Sequence, residues 1–240
     1  WKGFLALLAR LTDEDEIVVS PELMTVAGVP PSKVRRFEGQ VEKRVSAVVK
    51  LSLSYPQTTF VIGTPTFVTS GVRNSAVFIR NGRKIGVTYK RTGATDEERT
   101  AFDLLAEEPP ALICNDVGVV ICSDLPTITV LTDTTSLKDR VLELSGRGNL
   151  IGKQVTIIHP RARTLLALTC WGVGGNQEGI PRDGPDRYYL LQLRSIIYRV
   201  LKSYPSLKDV VVADRVPGFV GDLQLLTPTK PYNAFINRVR

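Results

Sequence analysis

The sequence predicts an α/β fold. Short apolar runs, typical of buried strands, alternate with longer segments whose apolar residues recur every three or four positions, as they do in amphipathic helices. No linker rich in Pro, Gly or Ser interrupts this alternation, and the chain has no internal repeat. We therefore predict a single domain over residues 1–240.

The first half of the chain is predicted to contain two helices and several strands. Residues 4–11 predict the last part of a helix, and residues 16–20 predict the strand that follows it. Ser32 is the predicted N-cap of an amphipathic helix that stops before Pro56. Asn81-Gly82 predicts a hairpin turn, because both positions tolerate a positive φ. The predicted strands after the helix are 58–62, 76–80 and 84–90.

The second half begins with another predicted hairpin. Its strands are residues 111–114 and 117–122, and its turn is Asn115-Asp116. The second of these strands is almost continuously apolar, which is typical of a strand at the centre of a sheet. The remaining predicted elements are helices at 137–144 and 186–201, and strands at 154–159, 165–171, 210–214 and 223–226.

The composition narrows the class of protein. Of the 240 residues, 43% are hydrophobic and 23% are charged, which excludes a disordered chain. The apolar runs are far shorter than the ~20 residues that a membrane-spanning helix needs, so we predict no membrane contact for this segment. Three cysteines without CxxC spacing and a single histidine argue against a disulfide framework and a metal site. We therefore expect a cytoplasmic protein with no metal and no cofactor.

The net charge of +7 raises nucleic acid as a possible partner. The basic residues, however, are scattered along the chain, and no basic run is interleaved with aromatic residues as in a platform for single strands. We expect a solvated basic surface and no nucleic-acid partner.

Three chemically active side chains stand at the ends of predicted strands. Glu22 follows the first strand, Lys90 ends the 84–90 strand, and Cys122 ends the central strand. A cysteine nucleophile needs a base to accept its proton and a donor to hold the oxyanion that forms. A carboxylate, an ammonium and a thiol at one edge of a sheet supply all three functions.

The sequence around these residues resembles the carbon–nitrogen hydrolase (nitrilase) superfamily. The matching stretches are Ile17-Val18-Val19-Ser20-Pro21-Glu22, Arg73-Asn74-Ser75-Ala76 through to Gly86-Val87-Thr88-Tyr89-Lys90, Gly118-Val119-Val120-Ile121-Cys122-Ser123-Asp124, and Ala213-Asp214-Arg215-Val216-Pro217-Gly218. Each stretch alone is a weak signal, but the first three together, in this order, are specific. The resemblance implies an α-β-β-α sandwich that pairs through its helices with a second copy, as a homodimer or a higher oligomer.

The resemblance also implies a role for each site residue. Glu22 would accept the proton of Cys122, whose thiolate would attack a small amide or nitrile. Lys90 and the backbone N–H of Ser123 would hold the oxyanion, and water would cleave the resulting thioester. Asp124 would support the loop after the nucleophile, and Trp171 would contact the substrate.

Many members of this superfamily carry a second carboxylate after the lysine. Glu97, Glu98, Glu107 and Glu108 compete for this position, and we choose Glu98, which lies eight residues after Lys90. Two other cysteines are rivals of the nucleophile. Cys114 is expected to be a core residue at the opposite end of the hairpin, and Cys170 is expected to be buried.

The chain also departs from the family pattern. The usual first strand is not recognisable, the stretch between Cys122 and Trp171 is long enough to form a lid or reshape the pocket, and residues 91–95 lack the His-Leu that often follows the lysine. The substrate therefore cannot be copied from the family. If Arg161 and Arg163 lie near the pocket, a substrate that carries a carboxylate is favoured. Acyl transfer to an amine and a vestigial scaffold remain the alternatives to hydrolysis.

Overall fold

The computed structural model of the chain describes residues 8, 11, 16–132, 135, 137–153, 155–169 and 187–213. In this part, two four-stranded sheets pack face to face, and helices cover the outer face of each sheet. The predicted α/β fold is confirmed, and its layers follow the expected order α-β-β-α. No helix among these residues is long and apolar enough to span a bilayer.

The first sheet consists of β1 (Ile17–Val19), β2 (Thr59–Val68), β3 (Gly71–Arg80) and β4 (Arg83–Tyr89), in that order. β1 pairs with β2 in parallel, and the other pairs are antiparallel. Asn81 and Gly82 have φ of 46° and 71°, so the predicted turn is confirmed. β2 and β3 extend beyond the predicted ranges because they bury polar residues in pairs. The Ser75 hydroxyl, for example, donates a 2.6 Å hydrogen bond to the Thr64 carbonyl.

The second sheet consists of β5 (Leu112–Ile113), β6 (Val117–Ile121), β7 (Thr164–Leu168) and β8 (Asp209–Ala213), in that order. β6, β7 and β8 are parallel, and β5 is antiparallel to β6. The prediction of a strand at 154–159 is wrong for the described residues 155–159, because Ile157 and Ile158 are buried in the outer core instead of pairing. The predicted strand at 223–226 lies outside the described residues.

The helices are α1 (Glu38–Leu51), α2 (Asp96–Ala101), α3 (Asp124–Leu131), α4 (Lys138–Leu144) and α5 (Arg187–Ser203). α1 packs on the outer face of the first sheet through valines on one side, while α3 and α5 cover the second sheet. The prediction of Ser32 as the N-cap of α1 is wrong. A 3₁₀ helix at Pro31–Phe37 leads directly into α1, and the Ser32 hydroxyl donates to Glu97 Oε1 at 2.9 Å.

The core between the sheets determines where the strand ends lie. Val117, Val119 and Ile121 on alternate positions of β6 pack against the first sheet, while Val120 points into the outer core. This alternation is expected for a strand buried on both faces. It brings Cys122, the residue after β6, to the edge of the inner core.

Candidate active site

Lys90 is the centre of a buried cluster of charged groups. Its Nζ lies 2.7 Å from Glu22 Oε1 and 2.9 Å from Glu98 Oε2, and its side chain has no exposed surface. Burial by itself lowers the pKa of Lys90, but the negative charges of Cys122, Glu22 and Glu98 outweigh this effect and raise the pKa well above its ordinary value. Lys90 is therefore a stable cation among three groups that can each be anionic.

Glu22 is held by groups from three strands. Its Oε1 accepts a 2.7 Å hydrogen bond from Asn74 Nδ2 as well as the bond from Lys90. The backbone N–H of Glu22 donates to the carbonyl of Thr169, just after β7. Sequence reasoning assigned no role to Asn74. Its signal was an amide side chain inside a largely apolar strand, where a polar group needs a buried partner.

Cys122 stands in a strained turn between β6 and α3. Its φ is 47°, a left-handed conformation that costs energy for a residue with a Cβ. The backbone N–H of Cys122 donates to the Leu168 carbonyl at 2.7 Å, and its carbonyl accepts from the Leu125 N–H. The buried thiol therefore lies just before the start of α3, on a backbone that hydrogen bonds fix from both sides.

Asp124 joins the loop after Lys90 to the loop after Cys122. Its carboxylate accepts from the backbone N–H groups of Arg91 and Thr92 and from Thr92 Oγ1 at 2.9–3.1 Å. Ser123 Oγ donates to the Thr92 carbonyl at 2.5 Å. Burial raises the pKa of Asp124, and the positive charge of Arg91 opposes this shift. With its oxygens committed in this way, Asp124 has the contacts of a supporting residue.

Of the four competing glutamates, only Glu98 forms an ion pair with Lys90 within the described part of the chain. Glu98 Oε2 also accepts from the Ala94 N–H at 2.8 Å. Glu97 bonds to a serine at the surface, and Glu107 pairs with an exposed lysine. Among the described side chains, no group of three His, Cys, Asp or Glu residues could hold a metal ion.

Of the other cysteines and the predicted substrate contact, the structure describes only Cys114, which does not join this cluster. Trp171 and Cys170 lie outside the described residues. Cys114 lies at the end of β6 opposite Cys122, as predicted, but the prediction that it belongs to the core is wrong. It is exposed in the hairpin turn, with φ of 48°, and its Sγ lies 3.5 Å from Thr59 Oγ1.

Arg161 and Arg163 lie at the opposite edge of the second sheet from the cluster. β7 begins at Thr164, directly after Arg163, and ends at Leu168, whose carbonyl binds the Cys122 N–H. The length of this strand, roughly 16 Å, separates both arginines from the thiol. Both are exposed to solvent, so the condition for their role in substrate binding is not met.

Known proteins share the fold of this chain. No protein-family model matches it. A glutamine-dependent NAD(+) synthetase from Xanthomonas campestris pv. campestris (strain 8004) is 32% identical over an alignment of 188 residues, which covers 73% of this chain and 34% of that protein. The chain therefore spans about a third of the length of this curated relative.

Two solved structures of an amidase from Nesterenkonia are also similar. The amidase itself is 15% identical with a TM-score of 0.59, over 89% of this chain and 70% of that chain. A mutant described as belonging to the nitrilase superfamily is 14% identical with a TM-score of 0.60, over 89% of this chain and 71% of that chain.

The α-β-β-α layers of this chain and its similarity to these solved structures indicate one fold. The chain has the fold of the nitrilase superfamily, and its predicted resemblance to the carbon–nitrogen hydrolases is confirmed. The Nesterenkonia protein is itself an amidase, which is an enzyme of the predicted class.

Proposed function

We propose that this chain hydrolyses the C–N bond of a small, non-peptide amide through a thioester on Cys122. The observation that carries the proposal is the buried cluster in which Lys90 forms ion pairs with Glu22 and Glu98. The negative charge of Cys122 also acts on Lys90 and, with those of the two glutamates, raises its pKa. Burying such a cluster is costly compared with an apolar core of the same size. As a reaction centre, however, the cluster and the neighbouring Cys122 together provide a base, a cation and a nucleophile.

Acylation begins when Glu22 takes the Sγ proton of Cys122. Oε1 of Glu22 meanwhile accepts from Lys90 and Asn74, which hold the carboxylate in place. The sulfur then bonds to the amide carbon, and the C=O electron pair moves to oxygen. Lys90 Nζ and the backbone N–H of Ser123 stabilise that oxyanion. When the oxyanion collapses, the C–N bond breaks, and the nitrogen leaves with the proton that Glu22 returns.

Deacylation uses the same groups in reverse. Glu22 takes a proton from water, the resulting hydroxide attacks the thioester carbon, and the oxyanion forms again next to Lys90. Its collapse breaks the C–S bond, releases the acid and leaves a thiolate that recovers its proton from Glu22. Glu98 holds Lys90 in position throughout, since its Oε2 accepts from the Lys90 ammonium and from the Ala94 N–H.

The chemistry of the similar proteins guides the choice of substrate. One relative is glutamine-dependent, and a mutant of the amidase carries the acetamide moiety of fluoroacetamide on its active-site cysteine. Primary carboxamides are therefore our proposed substrates, with glutamine and acetamide the first to test. A nitrile of matching chain length, such as acetonitrile, tests the nitrilase alternative.

The deciding experiment compares two cysteine variants by release of ammonia from a panel of primary amides. Cys122→Ala is expected to abolish turnover, while Cys114→Ala, at the exposed hairpin turn, is expected to retain it. Turnover retained by folded Cys122→Ala would contradict the proposal. Added hydroxylamine, which intercepts a thioester, should divert the product to the hydroxamate. A product formed only when an amine acceptor is present would instead indicate an acyltransferase.

The scaffold alternative is tested by thiol reactivity. An activated Cys122 should react with iodoacetamide faster than Cys114 does at the same pH. Cys114 is exposed and provides the internal reference. If peptide mass spectrometry finds buried Cys122 unreactive and no amide is turned over, the scaffold alternative is favoured.

A further inference from the structure

A cavity of about 320 Å³ adjoins the loop that follows Lys90. It is lined by two arginines, the apolar side chains of Phe102 and Leu104, and the loop residues Thr92 and Gly93. Thr92 Oγ1, which donates to Asp124, also lies 3.1 Å from the Oγ of Ser123, the residue after the nucleophile. One wall of the cavity is therefore part of the network that holds Cys122.

The first arginine, Arg147, has a fixed backbone and an unsatisfied side chain. Its N–H donates to the Leu142 carbonyl at 2.7 Å, and its carbonyl accepts from the Leu150 N–H, so two buried leucines anchor it. Its side-chain Nε is buried without a hydrogen-bond partner, and no carboxylate of the described residues forms an ion pair with it. A buried donor without an acceptor is costly, so its presence needs an explanation.

The second arginine, Arg99, lies against the same turn. A Cβ at Gly146 would come within 2.7 Å of the Arg99 Cζ and Nη1 atoms, and Gly146 has φ of 70°. Glycine at position 146 therefore lets the Arg99 guanidinium pack against the backbone beside Arg147. Asp96, the ion-pair partner of Arg99, has a side chain that is 97% exposed, so its charge is largely screened by solvent.

The two arginines share an electrostatic environment with the nucleophile. Burial lowers the pKa of Arg147, and the positive charge of Arg99 lowers it further, whereas the negative charges of Asp124 and Cys122 raise it. Asp124 is already committed to the backbone of Arg91 and Thr92. The cavity thus carries two arginine side chains, and the charge of Cys122 acts on one of them, Arg147.

We propose that Arg147 and Arg99 form an anion subsite that binds a carboxylate on the acyl part of the amide substrate. A carboxylate in the cavity supplies the acceptor that the Arg147 guanidinium lacks and neutralises the repulsion between the two arginines. This subsite rests on the proposed hydrolysis at Cys122. It also gives a function to the long stretch after Cys122, which carries Arg147.

The test compares two substrates of matched shape by kcat/KM for release of ammonia. One is the monoamide of glutaric acid, and the other is its uncharged analogue, in which an isopropyl group replaces the carboxylate. We expect the wild type to prefer the anionic substrate. Arg147→Gln should lower this preference by about 10- to 100-fold, mainly through KM, and Arg147→Lys should restore part of it. The control Arg161→Gln, at the far edge of the sheet, should keep the wild-type preference.

A second measurement does not require turnover. Glutarate should slow the alkylation of Cys122 by iodoacetamide in the wild type but not in Arg147→Gln, whereas the uncharged diamide of glutaric acid should protect less. If no amide is turned over but glutarate protects Cys122 only when Arg147 is present, the proposed hydrolysis is contradicted and the proposed anion subsite is supported.

Other outcomes overturn the subsite alone. The first is a wild type with the same kcat/KM for both substrates, and the second is an Arg147→Gln variant whose kcat/KM falls equally for both. The third is that glutarate does not slow the alkylation of Cys122. Thermal melting shows whether each variant is folded. If Arg147→Gln does not fold, Arg147→Lys carries the test, because a lysine keeps the charge but not the paired hydrogen bonds, and it must reduce the preference.

Discussion

Gly63 in β2 lies directly against the backbone of Glu22. A Cβ at position 63 would come within 2.8 Å of Glu22 Cα and 2.2 Å of the Pro21 carbonyl oxygen. The Gly63 N–H donates to Ser20 Oγ at 2.8 Å, which holds the end of β1 against β2. The position of the proposed base therefore depends on the absence of a side chain in a neighbouring strand.

We expect Gly63→Ala to shift the Pro21–Glu22 backbone, because backbone atoms cannot rotate away from the added methyl group. The variant should lose about 1–3 kcal/mol of unfolding free energy and, since the base moves, at least ~10-fold in kcat. The control is Gly39→Ala in α1, where an added Cβ meets nothing within 4 Å. It should gain about 0.5–1 kcal/mol and keep its activity. Urea denaturation measures the stability of both variants, and ammonia release measures their activity. Equal changes in Gly63→Ala and Gly39→Ala would contradict a steric role for Gly63.

The charge of Lys90 predicts a stability change that depends on pH. Because the pKa of folded Lys90 is raised well above its ordinary value, Lys90 is charged at every pH below that value, and its own titration reduces stability only as pH rises through the folded pKa. Lys90→Met removes this cation and leaves Glu22 buried without it. We expect a loss of about 3–5 kcal/mol near pH 8 and a smaller loss near pH 5, where protonation can relieve the buried carboxylates.

Urea denaturation of Lys90→Met and wild type at the two pH values measures this difference. The surface variant Lys153→Met, which removes the exposed ion pair with Glu107, should change stability by less than about 1 kcal/mol at both. A loss for Lys90→Met that is the same at both pH values would mean that packing, and not charge, dominates at this site.

Sequence reasoning located the three strand-end residues for a physical reason. A buried strand is a run of apolar residues, and the first polar residue after it marks the edge of the sheet. The apolar runs before Glu22 and Cys122 therefore show where both side chains lie. The pairing of Asn74 with Glu22 depends instead on the register between strands far apart in the chain, which periodicity does not encode.

Helix α2 was missed for a different reason. α2 is only six residues long and carries no apolar stripe, so the spacing of its apolar residues does not predict a helix. Its signal was Thr95 followed three residues later by Glu98, the pattern of a capping box. Thr95 Oγ1 does accept from the Glu98 N–H at 3.1 Å, but the Glu98 carboxylate turns to Lys90 and the Ala94 N–H. A local capping motif here positions a residue of the candidate site.

The position of Glu98 leads to the last prediction. Glu98→Gln keeps the shape of the side chain and an acceptor oxygen for Lys90, but it removes a negative charge that raises the pKa of Lys90. We expect kcat to fall by about 10- to 100-fold with little change in melting temperature, and the alkaline limb of the kcat/KM profile to move to lower pH, since Lys90 then loses its proton more easily. Glu97→Gln, which changes the neighbouring surface carboxylate, should leave the profile unchanged. An unshifted alkaline limb in Glu98→Gln would show that Glu98 does not act through the charge of Lys90.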